Sequence, residues 1–244
     1  MKRVDSAELD AVAAWRRELK FVYPGADPHK IARLLELNAE PINFGQAEVS
    51  EVHSIYFDDQ HLSSCAESLA GISRRVKLRV RWYDAPFAAG QMFFEMKRRV
   101  GHQSEKTRTL FDLGGSLSSI SYRALRDGLQ EELDEVQAGW LDLRGEPSML
   151  ISYRRRHFRH RESGTRITLD WGLHAFEQLG ARAPNRDWLV ESDGRVVIEI
   201  KVPVGGEAAA RHVFAPLRLR VSRSSKYVHC CTRAGWVQLP EDHD

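Results

Sequence analysis

Nine consecutive residues, Arg75-Val76-Lys77-Leu78-Arg79-Val80-Arg81-Trp82-Tyr83, alternate charge and apolar bulk up to the closing Trp-Tyr. Side chains of a strand alternate faces with period two, so Arg75, Lys77, Arg79 and Arg81 share one face and Val76, Leu78, Val80 and Trp82 the other. Like charges at that spacing repel. The cationic face therefore stands either in open water or along something anionic. Lys and Arg are ordinary solvent-facing residues, and a single strand does not decide between the two. Repetition of the pattern along the chain weighs toward the second.

With 244 residues and no linker rich in Pro, Gly and Ser, the chain reads as one domain able to bury a substantial core. Thirty-six Lys and Arg stand against 34 Asp and Glu, a net charge of +2, which is not the balance of a general nucleic-acid binder. A basic site must come from arrangement. Cys65, Cys230 and Cys231 form neither a Cys-x-x-Cys pair nor an even framework, and they read as reduced thiols of a cytoplasmic protein. No apolar run approaches the ~18 residues of a membrane span, and Met1-Lys2-Arg3-Val4-Asp5 leads into acidic sequence unlike a signal peptide. The expected division is an arm or short helix over 1–15, a domain over 16–232 and a tail over 233–244.

Residues 16–23 predict a strand with Arg16, Glu18 and Lys20 on one face and Leu19 and Phe21 on the other. Asp27-Pro28 opens a helix reaching about Asn38, a capping carboxylate followed by proline at the first helical position. Val52–Asp59 reads as a strand ending in an acidic turn, and 61–68 as helical. After the cationic ladder, Gln91–Arg99 forms a strand with Phe93, Glu95, Lys97 and Arg99 on one face. Glu95 and Lys97 are there either a surface ion pair or members of the same compartment as Arg79 and Arg81. Lys106 and Arg108 share a face of the next strand. Ser116 to Val136 carries one apolar stripe at helical spacing, a covering helix.

Two more strands follow, Met149–Phe158 and Arg166–Trp171, the second with Arg166, Thr168 and Asp170 on one side; a short helix is expected near His174–Leu179. Val196–Val202 reads as a buried strand with Glu199 and Lys201 at its middle. Burying that pair costs several kcal/mol per ion unless each is paired, hydrated or bound to a ligand. Ser222–His229 reads as a polar turn opening a short helix, with Arg223 and Lys226 on one side.

About eight strand-like segments without regular strand-helix alternation predict an α+β fold, mainly antiparallel, closed into a β-tunnel with helices packed outside and a charged bore. Lys20, Lys77, Arg79, Arg81, Lys97, Lys106, Arg108, Arg155, Arg166, Lys201, Arg223 and Lys226 would line it. Phosphates suit such a bore, because guanidinium forks match their oxygens in bidentate fashion. Glu18, Glu95, Asp170 and Glu199 offer hard oxygen ligands for Mg²⁺ or Mn²⁺ bridging phosphate oxygens.

The segments Arg16-Arg17-Glu18-Leu19-Lys20-Phe21, Ser54-Ile55-Tyr56-Phe57-Asp58-Asp59, Lys77 to Tyr83, Phe94-Glu95-Met96-Lys97, Tyr153 to Phe158, Arg166-Ile167-Thr168-Leu169-Asp170, Glu199-Ile200-Lys201 and Ser225-Lys226-Tyr227 resemble, in this order, the VTC domain. That is the polyphosphate polymerase domain of the vacuolar transporter chaperone complex and its bacterial relatives, within the triphosphate tunnel metalloenzymes. The resemblance runs from about Arg16 to Cys231. It implies a tunnel of antiparallel strands, a divalent metal (Mn or Mg), ATP as donor, and polyphosphate or pyrophosphate as partner. By matching motif it further implies Lys20, Arg79, Arg81, Lys97, Lys106, Arg155, Arg166, Arg223 and Lys226 as phosphate ligands and Glu199 as the metal ligand, with Lys201 placed by the Glu-x-Lys pattern; the strand faces add Lys77 and Arg108 as substrate ligands and Glu95 and Glu18 as further metal ligands. Lys106 and Arg108 compete for one position. The chain departs from the family at Cys65, where relatives usually carry tyrosine. The likeness does not reach the SPX and transmembrane portions of the eukaryotic proteins, so coupling to membrane translocation is not expected.

Phosphoryl transfer needs little beyond position and charge. The acceptor's terminal oxygen is already ionised, which agrees with the lack of a Ser/His/Asp constellation. His53, His61, His102, His157, His160, His174, His212 and His229 lack metal-ligand spacing and read as structural or surface residues, and Tyr56 and Tyr153 as packing. Two alternatives stay open: hydrolysis of inorganic or nucleoside triphosphate, where water replaces the chain end, and a polyphosphate-binding module without turnover. The hydrolase relatives open on Glu-x-Glu-x-Lys, of which only Glu18-Leu19-Lys20 stands here.

Overall fold

The computed structural model of the chain describes residues 16–43, 47–84, 87, 91–101, 103–203, 220–222 and 224–238. The expected arm over 1–15 lies outside them, as does Arg223. The strands are β1 (Arg16–Tyr23), β2 (Ala39–Ile42), β3 (Val49–Asp58), β4 (Arg74–Tyr83), β5 (Gln91–Val100), β6 (Gln103–Asp112), β7 (Glu146–His160), β8 (Arg166–Glu177), β9 (Leu189–Asp193) and β10 (Val196–Pro203). Five α-helices accompany them among the described residues: α1 (Pro28–Glu36), α2 (Ser63–Leu69), α3 (Tyr122–Glu132), α4 (Glu135–Arg144) and α5 (Lys226–Arg233).

The fold is α+β and mainly antiparallel, with strands hydrogen-bonded in the order β1-β10-β8-β7-β3-β4-β5-β6, β2 beside β7 and β9 beside β8. Eight strands on this path match the expected number, but the expected closure is not there among the described residues. Among the described residues the path ends at β1 and β6, which do not pair with each other. One physical reason lies at β1, where the Lys20 carbonyl accepts from the Ser222 N–H at 2.7 Å. A short segment thus occupies part of the strand edge that closure would need.

The chain divides into two compact units, 1–51 with 153–173 and 193–224, and 52–152 with 174–192 and 225–244. In the first, Leu19 and Phe21 of β1, Ile167 and Leu169 of β8, and Ile198, Ile200 and Val202 of β10 form a core closed by Ile31, Ala32 and Leu35 of α1. Asp27 caps α1, accepting from the His29 N–H at 2.9 Å, and Pro28 takes the first position as its fixed φ favours. Burial of each such Leu, Ile or Phe side chain contributes about 1.5–3 kcal/mol. With the odd positions of β1 buried in this way, Glu18 and Lys20 take the opposite face.

In the second unit, Val76, Leu78, Val80 and Trp82 of β4 and Met92, Phe94 and Met96 of β5 meet Leu125 and Leu129 of α3 and Leu141 of α4. The apolar half of the alternation is thus covered by helix, as expected. The single helix expected over 116–136 is instead a 3₁₀ turn at Leu117–Ser119, α3, and α4. Asp134 restarts the chain by accepting from the Gln137 N–H at 2.8 Å, and Val136 turns out to solvent. The short helix expected near His174–Leu179 is strand. β8 runs to Glu177, whose N–H donates to the Trp188 carbonyl, with Leu173 and Ala175 buried.

Among the described residues no helix is long and apolar enough to cross a membrane.

Candidate functional site

The alternation that buries Leu78 and Phe94 leaves the other face of β3 to β6 polar, and strand register sets its neighbours. Tyr56, Arg79, Glu95 and Arg108 stand in one row across β3, β4, β5 and β6. Lys77, Lys97 and Lys106 make the next row on one side, and Ser54, Arg81 and Phe93 the next on the other. Successive rows are about 7 Å apart, two residues along a strand. The face thus gathers six cations round one carboxylate, Glu95, only 2% exposed.

Glu95 holds that cluster together. Its Oε2 accepts from Arg79 Nε at 2.7 Å and lies 3.8 Å from Arg81 Nη1; its Oε1 lies 2.8 Å from Lys106 Nζ and 3.6 Å from Arg108 Nε. Burial alone would raise the Glu95 pKa, but Arg79, Arg81 and Lys106 outweigh it and hold the carboxyl well below its ordinary range. Lys106 is pushed down by its own burial, with Glu95 opposing. Arg79 Nη1 also donates to Tyr56 Oη at 2.9 Å, and Arg81 Nε to Ser54 Oγ at 3.1 Å. Although burial acts to raise it, the Tyr56 phenol is lowered by Arg79, Arg81 and Lys226. Arg108 lies over the Phe93 ring at 3.4 Å, and its buried Nε has no hydrogen-bond partner among the described residues.

Among the described residues one negative charge stands against six on this face, which leaves it positive. Such a potential attracts anions.

The end of α5 is fixed to this unit by a buried polar knot. Tyr227 stacks on Tyr56 with ring centres 4.8 Å apart and donates to Asp58 Oδ2 at 2.8 Å. Burial raises the Tyr227 pKa and keeps the phenol a donor. The Asp58 carboxylate also accepts from the Ser64 and Cys65 N–H groups, capping α2 where Leu62, at φ 54°, cannot. Lys77 Nζ donates to Ser225 Oγ at 3.0 Å, just before Lys226. Cys65, Cys230 and Cys231 are buried free thiols.

The polar face of the first unit is mixed in sign. Glu18, Lys201 and Arg166 form one row across β1, β10 and β8, and Lys20, Glu199 and Thr168 the next. Acid and base alternate both along and across the strands. Lys20 Nζ lies 3.5 Å from Glu199 Oε2 and 3.8 Å from Glu18 Oε2, and Lys201 Nζ 4.0 Å from Glu18 Oε1. This is how the central Glu199 and Lys201 of β10 are compensated. Contacts of that length are long for ion pairs, and Arg155 also acts on Glu199. Arg155 is held by Asp170 in a bidentate pair. Their attraction outweighs burial and raises the Arg155 pKa well above its ordinary value. His157, buried nearby, is pushed down to about 3 by that burial and by Arg155 and Arg166. The buried Thr168 Oγ1, beside Glu199 in register, has no hydrogen-bond partner among the described residues.

The family model of the VTC domain matches residues 15–234. The chain belongs to the VTC domain family. This VTC domain is similar to the PH1819 protein from Pyrococcus horikoshii OT3, a solved structure, at 13% identity and a TM-score of 0.48, over 90% of this chain and 99% of that one. No curated protein matches it. Membership is consistent with a polyphosphate-related function.

Register brings Lys77, Arg79, Arg81, Lys97, Lys106 and Arg108 of this VTC domain onto one face, and Lys20, Arg166, Lys201, Glu18 and Glu199 onto another. The Lys106 and Arg108 alternatives are both on the first face, and both lie within 4 Å of Glu95. The expectation that Glu95 ligates a metal does not fit these contacts, because both its oxygens are taken by cations. Among the described residues no three His, Cys, Asp and Glu side chains converge as a metal site. Glu18 and Glu199, sharing Lys20, do fit Mg²⁺ or Mn²⁺, which bind through one or two carboxylates completed by water and phosphate oxygens.

Sequence reasoning missed Tyr56 as a partner of Arg79, and the counter-ion roles of Glu95 and Asp170. Tyr56 and Glu95 share a row with Arg79, a signal that needs the register to be read.

Proposed function

We propose that this chain is a cytoplasmic, metal-dependent polyphosphate polymerase that transfers the terminal phosphoryl of ATP to a growing polyphosphate chain. The observation that carries this reading is the face of six cations round the buried Glu95, within a VTC domain. Arg79, Arg81 and Lys97 bind the oxygens of the transferring phosphoryl, while Lys77, Lys106, Arg108 and Lys226 hold flanking phosphates; Arg223 joins them by the family motif. The orphaned Nε of Arg108 is a buried donor awaiting an acceptor. Lys20, Arg155, Arg166 and Lys201 act on phosphates at the mixed face.

An ionised terminal oxygen of the acceptor attacks the γ-phosphorus, and the bond from that phosphorus to the β,γ-bridging oxygen breaks, releasing ADP. No general base is required. Negative charge spread over the peripheral oxygens in the transition state is met by guanidinium and ammonium groups already in place. Glu18 and Glu199 would hold the divalent cation, which supplies neutralisation of phosphate oxygens. Lys20 and Lys201, beside those carboxylates, would supply positive charge to the phosphate oxygens.

Incubation of the purified protein with ATP and Mn²⁺ or Mg²⁺ tests this. Acid-stable polyphosphate together with ADP is expected. Orthophosphate as the main product would overturn it in favour of a triphosphate hydrolase, and tight polyphosphate binding without turnover in favour of a binding module.

A further inference from the structure

The cationic face of β4 and β5 continues beyond Lys77 and Lys97. Two residues further along each strand, Arg75 and Arg99 stand directly opposite one another, with Ser104 of β6 completing the row. Both are half-buried. Each guanidinium is fixed by a backbone carbonyl: Arg75 Nη1 donates to Ile72 O at 2.5 Å and Arg99 Nε to Gly101 O at 2.9 Å. The two loops involved are themselves joined by a bond from the Gly101 N–H to Ser73 O at 2.9 Å.

Neither arginine has a carboxylate within ion-pair distance among the described residues. The contrast lies on the other face of the same strand, where Arg98 is matched by Glu105 at 2.6 Å. Like charges set directly opposite across a ladder are unfavourable. Here they persist, oriented by neutral carbonyls, with Glu67, itself paired to Arg144, acting on Arg75 from beyond ion-pair distance. Burial and then the Arg99 charge lower the Arg75 pKa, and the Glu67 carboxylate offsets this only in part, so repulsion across the pair is felt. An anion between the two forks would relieve that repulsion and receive charge-assisted hydrogen bonds.

We infer that Arg75 and Arg99 form a distal phosphate subsite that engages polyphosphate chains extending past Lys77 and Lys97. The inference rests on the polyphosphate reading above and adds to it a length preference. From the Arg81 row to the Arg75 row is six residues, about 20 Å of strand. A triphosphate is too short to occupy the Arg79–Arg81 end and reach the Arg75–Arg99 pair together, whereas an extended polymer reaches both. The subsite therefore acts on long chains and leaves ATP and tripolyphosphate untouched.

The test compares binding of tripolyphosphate and of a long-chain polyphosphate at fixed, near-physiological salt, for the full chain, the Arg75→Gln/Arg99→Gln double variant and Arg98→Gln. The double variant is expected to lose about tenfold or more in long-chain affinity, with tripolyphosphate binding within about twofold of the parent; Arg98→Gln should leave both ligands unchanged. Equal loss for both ligands would overturn the subsite by showing a diffuse field effect, and so would undiminished long-chain binding. A parent chain that binds neither polyphosphate removes the polymerase reading itself, and the subsite with it. Should the double variant not fold, the single variants serve, each expected to lose about threefold on the long chain only.

Discussion

Arg155 grips Asp170 through two hydrogen bonds, Nε to Oδ1 at 2.6 Å and Nη2 to Oδ2 at 2.7 Å, with the carboxylate 1% exposed. A buried pair of this kind is costly to break from one side, because the surviving charge has lost both water and partner. Asp170→Asn should lower unfolding free energy by about 3–5 kcal/mol, and Asp170→Leu combined with Arg155→Leu should recover most of it. Urea melts of the two variants check this. A loss below about 1 kcal/mol in Asp170→Asn would mean that Arg155 is satisfied elsewhere.

Among the described residues Glu95 is the negative charge that Arg79, Arg81, Lys106 and Arg108 share. Glu95→Gln keeps the side-chain shape and leaves those cations to repel one another. The variant should be destabilised by about 3–5 kcal/mol at low salt. Added tripolyphosphate should restore stability more in the variant than in the parent, since the anion replaces the missing counter-charge. Thermal melts with and without the ligand decide it; equal shifts in both proteins would place the phosphates elsewhere.

His157 is packed among Arg155 of its own strand, Arg166 and Asp170 of β8, and Lys201 of β10. Burial first, then Arg155 and Arg166, bring its pKa from 6.5 to about 3, so the folded protein keeps it neutral. The unfolded chain takes up the proton between those values. Stability is therefore complete above pH ~6.5 and falls as pH drops toward ~3, on the order of 1 kcal/mol per unit for this residue. Glu95 adds its own loss at lower pH, beginning as unfolded carboxyls protonate near 4.5. Between pH 6.5 and 5, His157→Gln should flatten the melting-temperature profile; an unchanged slope would mean that another group titrates.

The parity of β1, β4, β5 and β10 was legible because alternation is a local property. Val76 to Trp82 could be buried only by turning Lys77, Arg79 and Arg81 the other way. The Asp27 cap was legible for the same reason. The break at Asp134 was not, since the apolar stripe runs on through Leu133 and only the bond to the Gln137 N–H ends one helix and starts another. At the site, alternation assigns faces but not neighbours. That Glu95 meets Arg79 and Arg108, while Glu199 meets Lys20, depends on cross-strand register. Two similar Glu-x-Lys strands thus part company, one carboxylate within 4 Å of Arg79, Arg81, Lys106 and Arg108 and the other 3.5 Å from Lys20.

That difference sets the last expectation. Glu199, its side chain 12% exposed, lies 3.5 Å from Lys20 and also acts on Arg155, so Glu199→Gln, which keeps the shape and loses the charge, should cost about 1–3 kcal/mol and still leave a folded protein. If Glu199 and Glu18 hold the divalent cation, the same change removes several kcal/mol of transition-state stabilisation, and turnover should fall by roughly 10²–10³-fold. Glu18→Gln should fall less, because Glu18 is the more exposed carboxylate and Glu199 remains to bind. Turnover at saturating ATP, titrated with Mn²⁺, reads both effects: a raised metal requirement in Glu18→Gln and a collapse in Glu199→Gln. Full activity in a folded Glu199→Gln protein would remove this residue from the metal and leave the mixed face without its assigned role.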